Sequence, residues 1–98
     1  MAAWKTPKHL DDHFRKHGRR LGFPTVQAYN ASAQATLATG RYFEYYDDDT
    51  GETRFGCYDA PTGRFVVLTL DDEIVSHYIC SLRHVRELSY SNYDEDEE

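Results

Sequence analysis

Cysteine is scarce: Cys57 and Cys80 are the only two in 98 residues, and neither belongs to a C-x-x-C or other zinc spacing. They read as reduced packing residues, with a strand-to-strand bridge as the alternative. No run of about 18 apolar residues occurs, which excludes a membrane-spanning helix and leaves no membrane partner to expect. The opening Met1-Ala2-Ala3-Trp4-Lys5 lacks the apolar stretch of a secretory signal, so a cytoplasmic address is the expectation. There is no internal repeat, linker or shift of composition marking a second domain.

What remains is a chain of 98 residues with 40% hydrophobic content, enough for one modest core. The expected organisation is a single domain over residues 1–93 and a disordered acidic tail over residues 94–98. The net charge of −6 conceals a division along the chain: residues 1–41 carry +5, residues 42–93 carry −6, and Asp94-Glu95-Asp96-Glu97-Glu98 adds −5. An acidic protein thus presents a basic N-terminal region, the kind of local field to which a phosphate responds.

Within that region His9, His13 and His17 recur four residues apart, so on a helix they share one side, interleaved with Arg15 and Lys16. Thr6-Pro7 has the chemistry of a helix start, with Thr6 as cap and Pro7 where its missing N–H costs nothing. Leu10, Phe14, His17 and Leu21 then form one apolar stripe, which puts His17 in a core-facing slot and His13 on its shoulder. Gly22 is placed to end the helix. A second helix follows Pro24, capped by Thr25, with Val26, Tyr29, Ala33 and Leu37 as its buried stripe and Gly40 at its end.

After Gly40 the period changes to two, with strands expected over residues 41–46, 52–58, 64–70 and 73–80. A shorter fifth strand is expected over residues 83–89. The turn residues Asp47-Asp48-Asp49-Thr50-Gly51 and Asp59-Ala60-Pro61-Thr62-Gly63 separate the first three. Two N-terminal helices packed on a four- to five-stranded antiparallel meander make an α+β fold, with one face for the helices. Alternation sets Ile74, Ser76, Tyr78 and Cys80 on one side of the fourth strand, and Val75, His77 and Ile79 on the other. It does not say whether Ser76 or His77 takes the open side.

The ordered set His13-Phe14-x-x-His17-Gly18, Leu21-Gly22, Tyr29, Arg54, Tyr58-Asp59, Thr62-Gly63, Phe65-Val66-Val67 and Ile74-x-Ser76-x-Tyr78 resembles a known family. It is similar to the small RNase domains of the barnase, EndoU, colicin and RelE-like (BECR) fold, found in polymorphic toxins and phage-borne proteins. The match runs from about His9 to Ile79. The resemblance implies an endoribonuclease toxin that cleaves RNA without a metal or other cofactor. A base removes the 2′-hydroxyl proton, an acid protonates the leaving 5′ oxygen, and a cation with hydroxyl donors steadies the phosphorane. Carried over by position, the catalytic residues are His13, His17, Arg54, Ser76 and Tyr78, with Arg15, Lys16 and Arg19 binding RNA. RNA is the implied substrate, and a cognate immunity protein or antitoxin the implied partner.

Simpler readings stand beside these. His17 serves equally as a core anchor, and His9, His13 and His17 as metal ligands, although no cysteine or well-placed carboxylate completes such a set. Arg54 has a salt-bridge role available with Asp47, Asp48 or Asp49. The tyrosines are what strands prefer. The acidic tail is either a solubilising segment or an RNA mimic lying on the basic helix. The competing functional reading is a catalytically inactive member of the same fold whose acidic surface docks a basic partner.

Overall fold

The structure is a computed structural model and describes residues 2–94. Helix α1 (Pro7–His13) begins where Thr6 accepts a hydrogen bond from the His9 amide, with Pro7 in the first turn. It does not run on as an α-helix. Residues Phe14–Gly18 form a π-helical turn, in which the Arg19 amide reaches back five residues to the Phe14 carbonyl at 3.1 Å. Gly22 then ends the segment with a φ of +88°, a conformation that favours glycine. Helix α2 (Val26–Thr39) is capped by Thr25, which accepts from the Ala28 amide.

The π-turn changes which side chains face inward. Phe14 and Gly18 are the buried pair, while His17 is only half-buried. The expected stripe that put His17 in the core assumed 3.6 residues per turn throughout, and the wider turn breaks that period. Gly18 is small for a reason: a Cβ there would lie 2.6 Å from the Phe14 ring and 2.9 Å from the Tyr29 ring.

Strands β1 (Arg41–Asp47), β2 (Glu52–Asp59), β3 (Arg64–Leu68) and β4 (Ile74–Ile79) pair in sequence order as an antiparallel meander. The first two turns place Gly51 and Gly63 at φ values of +72° and +73°. The expected fifth strand is instead a short helix, α3 (Leu82–Glu87), capped by Ser81. Leu82, Val85 and Leu88 recur every three residues, so a helix gathers them onto one side where a strand would scatter them across two faces.

Both faces of the sheet are covered, not one. Below α2 lie Cys57, Val66, Leu68 and Ile74, joined by Ala33 and, at the margin, Trp4, Leu37 and Phe55. On the other face Phe43, Tyr45, Tyr58, Phe65 and Val67 pack with Val85 of α3, flanked by Leu82, Leu88 and Tyr93. The rings of Phe43 and Phe65 close over Gly56, where a Cβ would meet both within 2.7 Å. Cys57 is a buried free thiol and Cys80 a half-buried one.

A β-bulge between Val67 and Leu68 alters the alternation expected for β4. Leu68 pairs with Ile74 while Val67 pairs with Ser76, so Ile74 enters the α2 side together with His77, and Val75 packs on the opposite cluster with Tyr78. A one-residue slip sends every side chain before it to the other face. Asp94 forms an ion pair with Arg86 at 3.1 Å, and the rest of the expected acidic tail lies outside the described residues. No helix among the described residues is long and apolar enough to cross a membrane.

Candidate functional site

The second face of the sheet is only partly covered by α3, and the remainder floors a cleft of about 690 Å³. Tyr45, Arg54, Val67, Ser76 and Tyr78 line it from the sheet, His9, His13, Lys16 and His17 from the first helical segment, and His84, Glu87 and Leu88 from the α3 end. This volume lies within the range of about 300–1,000 Å³ usual for ligand sites. All five expected catalytic residues, His13, His17, Arg54, Ser76 and Tyr78, therefore share one cavity. Of the expected RNA-binding cations Lys16 lines it. Arg15 instead pairs with Asp11 at 2.7 Å, and Arg19 lies over the Phe14 ring.

The histidines form a ladder. Ring centroids of His9 and His13 are 6.3 Å apart, those of His13 and His17 5.6 Å, and the His17 ring stands 5.5 Å from Tyr78. The π-turn sustains this row: an α-helix would let it drift, whereas the wider turn keeps His17 alongside His13. Among the described residues no three His, Cys, Asp or Glu side chains are grouped to hold a metal ion.

His13 Nδ1 lies 3.2 Å from Ser76 Oγ, joining the helix to the sheet. Burial first, then the nearby charges of His17, Lys16 and His9, push the His13 pKa down to about 4, with Asp12 acting the other way. His17 is lowered too, by burial and then by Lys16 and Arg20. Both imidazoles therefore favour the neutral form at pH 7. Burial holds the Tyr78 and Tyr45 phenols above their ordinary range, so both remain protonated hydrogen-bond donors.

Arg54 is only 8% exposed. Its Nη2 is paired with Glu52 at 3.0 Å, and Asp47 approaches Nε at 3.9 Å, too far for a hydrogen bond. That Nε–H is buried and has no hydrogen-bond partner among the described residues. A buried donor without an acceptor costs about 1–3 kcal/mol, and this one is closed to solvent as well as unpaired. The salt bridge expected as an alternative role for Arg54 thus exists and coexists with its place in the cleft.

His77, the spare candidate for the cleft, is on the opposite face and fully buried. Its Nδ1 donates to the Phe65 carbonyl at 2.9 Å, so its Nε2 accepts from the Ser32 hydroxyl at 2.9 Å. Tyr29 donates to the His77 carbonyl. This is a polar pin between α2 and the sheet, with no access to the cleft. Ser76 is the open-side residue.

Sequence reasoning missed His84 and Tyr45. His84 was hidden by assigning residues 83–89 to a strand, yet Ser81 as a cap and the Arg83–Glu87 spacing, an ion pair at 3.0 Å, both point to a helix. Tyr45 carries no signal beyond the preference of strands for tyrosine, yet it lines the cleft. The opposite lip of the cleft is acidic, formed by Asp47, Asp48 and Asp49 of the first hairpin together with Glu87. Asp71 and Glu73 line a separate hollow at the end of the sheet. No family model, curated protein or solved structure matches the chain.

Proposed function

We propose that this protein is a metal-independent endoribonuclease of the toxin type, built on a BECR-like fold with two helices ahead of an antiparallel meander. The observation that carries the reading is the meeting of His13, Ser76 and Arg54 in the lining of one cleft. These are a proton acceptor, a hydroxyl and a cationic donor, the set that phosphodiester transesterification requires.

In this reading His13 donates from Nδ1–H to Ser76 Oγ, which leaves the Nε2 lone pair to take the proton of a ribose 2′-hydroxyl. The 2′ oxygen bonds to the adjacent phosphorus, the bond from phosphorus to the 5′ oxygen breaks, and that oxygen takes a proton. The products are a 2′,3′-cyclic phosphate and a free 5′-hydroxyl. Arg54 and the Ser76 hydroxyl hold the phosphorane oxygens, while Lys5 and Lys16 add positive field at the cleft wall. Burial chiefly, and the nearby cations after it, hold the His13 pKa near 4; the negative charge of a bound phosphate acts in the opposite direction and raises it.

Purified protein incubated with total RNA and a chelator tests the proposal. Cleavage ending in 2′,3′-cyclic phosphate is expected, reduced by about 10²-fold or more in His13→Ala and in Arg54→Ala. Equal cleavage by the variants rejects the site. The acidic lip of Asp47, Asp48, Asp49 and Glu87 favours a second reading, an inactive protein of this fold whose cleft receives a basic partner. Absence of cleavage by the wild-type protein, together with retention on a basic peptide matrix that is lost on replacing those acids, would favour that reading.

A further inference from the structure

We propose that Tyr78 and His84 together supply the proton to the departing 5′ oxygen, with Tyr78 touching the substrate and His84 acting through it. This deepens the ribonuclease reading above and rests on it. In-line displacement at phosphorus puts the attacking and departing oxygens on opposite sides, so base and acid must stand at two points with the phosphate between them. His13 occupies one point. The other needs an acid, a role that no single residue has yet been given.

The sheet defines where that second point lies. Ser76 and Tyr78 are on the same face of β4, and two residues of strand span about 6.5–7 Å. His13 is held on Ser76 at 3.2 Å, while His84 Nε2 lies 3.3 Å from the Tyr78 hydroxyl. The two pairs therefore stand side by side along the floor of one cleft, each a histidine on a strand hydroxyl. They come from opposite walls, His13 from the first helix and His84 from α3.

Helix α3 is arranged to present His84. Fully buried Val85 anchors the helix in the second core, and Ser81 Oγ accepts from the His84 amide at 3.1 Å. Arg83 is engaged with Glu87, and Arg86 with Asp94, so the neighbouring cations are turned to carboxylates. The imidazole lies edge-on to the Tyr78 ring, with centroids 6.0 Å apart and planes at 70°.

The phenol alone is a poor acid, since burial raises its pKa. The imidazole is exposed at the α3 end of the cleft, with its Nε2 on the phenol oxygen at 3.3 Å. Acting together they complete the proton transfer. As the phosphorus–5′ oxygen bond breaks, that oxygen takes the Tyr78 proton, and the Tyr78 oxygen takes the Nε2 proton of the His84 imidazolium. Tyr78 stays neutral throughout. His84 ends neutral and His13 ends protonated by the 2′-hydroxyl, so protons balance and exchange with water resets both.

The test uses an oligoribonucleotide carrying the linkage that the wild-type protein cleaves, made with oxygen or with sulfur as the 5′ bridging atom. A thiolate leaves without being protonated, so loss of the acid is forgiven on the sulfur substrate and loss of the base is not. His84→Ala and Tyr78→Phe are expected to slow the oxygen substrate about 10²-fold and to cleave the sulfur substrate at nearly the wild-type rate. His13→Ala is expected to remain slow on both. The proposal is overturned if His84→Ala cleaves the oxygen substrate at the wild-type rate, if it is slow on both substrates, or if His17→Ala shows the sulfur rescue instead. Wild-type speed in Tyr78→Phe overturns the role of the phenol. A wild-type protein that cleaves neither substrate overturns the ribonuclease reading itself, and this assignment with it.

Discussion

Burying His77 makes stability depend on pH in a way that can be calculated. Its pKa is lowered from 6.5 to about 4, chiefly by burial, against the opposing effect of its bond to the Phe65 carbonyl. A histidine whose folded pKa is depressed is protonated first in the unfolded chain. Its contribution is therefore complete above pH 6.5 and is lost as pH falls toward 4. The shift is about 2.5 units, each worth 1.36 kcal/mol, which gives about 3 kcal/mol across that window. This is a large fraction of the ~5–15 kcal/mol that holds a small domain together. His13 and His17 are lowered in the same direction, so the wild-type slope alone does not isolate His77. Comparison with His77→Gln does. The amide can donate to the Phe65 carbonyl and accept from Ser32, but it does not titrate. At pH 7.5 the variant is expected to be about 1–2 kcal/mol less stable. Between pH 6.5 and 4.5 the wild type should lose about 1.1 kcal/mol per pH unit more than the variant. Urea melts followed by the fluorescence of Trp4, whose indole N–H is bonded to Asn30 at 2.8 Å, provide the assay. Stability curves for the two proteins that stay parallel from pH 7.5 to 4.5 would refute the account.

Two further outcomes follow from the geometry of the cleft and its supporting helix. Asp47→Asn removes a negative charge 3.9 Å from Arg54 Nε while Glu52 stays paired, and should tighten binding of a non-cleavable oligonucleotide about fivefold, ~1 kcal/mol, at low salt. Unchanged or weaker binding in filter titrations would show that Asp47 does not compete for that cation. Gly18→Ala inserts a methyl between the rings of Phe14 and Tyr29 and should lower stability by about 1–3 kcal/mol in thermal melts, whereas Gly22→Ala is strained by backbone conformation and meets no neighbour. A Gly18→Ala protein as stable as wild type would remove the packing reason for the glycine in the histidine motif.

Much of the architecture was legible because local chemistry decides it. Thr6 and Thr25 cap the helices they were expected to cap, and the hairpins fall where the turns that open on Asp47 and Asp59 end in Gly51 and Gly63. The convergence of His13, Arg54, Ser76 and Tyr78 follows once the meander is drawn with the correct face open. What was not legible depends on tertiary register. The bulge beside Val67 has no marker in the residues that flank it, yet it sends Ile74 to the α2 side. The π-turn is equally silent, because Phe14, His17 and Gly18 fit an α-helical stripe as well as a π one. His77 and His13 are the same residue type in similar company, and only the register buries one and opens the other. Helix α3 is six residues long, too short for periodicity alone to decide, so its signal lies in the Ser81 cap and the Arg83–Glu87 spacing.

The two signs of charge are placed to do different things. Lys16 lies with the histidine ladder, whereas Arg54 is held in the first hairpin by Glu52 and Asp47, and Asp48, Asp49 and Glu87 add negative charge toward the hairpin and α3. An anion entering the cleft is drawn to the first side and repelled by the second, so a chain of phosphates cannot cover the whole floor favourably. One phosphate can sit between Arg54 and His13 while the neighbouring sugar or base, which carries no charge, passes the acidic lip. The carboxylates there can accept hydrogen bonds from base amino and imino groups. The hairpin that carries them is tied to the C-terminal segment by the Ser89 hydroxyl donating to Asp48 and by the Tyr46 amide on the Ser89 carbonyl at 2.7 Å. A lip fastened in this way holds its charges in place when a ligand arrives. In the ribonuclease reading, the negative lip thus fits a site that grips a single phosphate and selects what lies beside it.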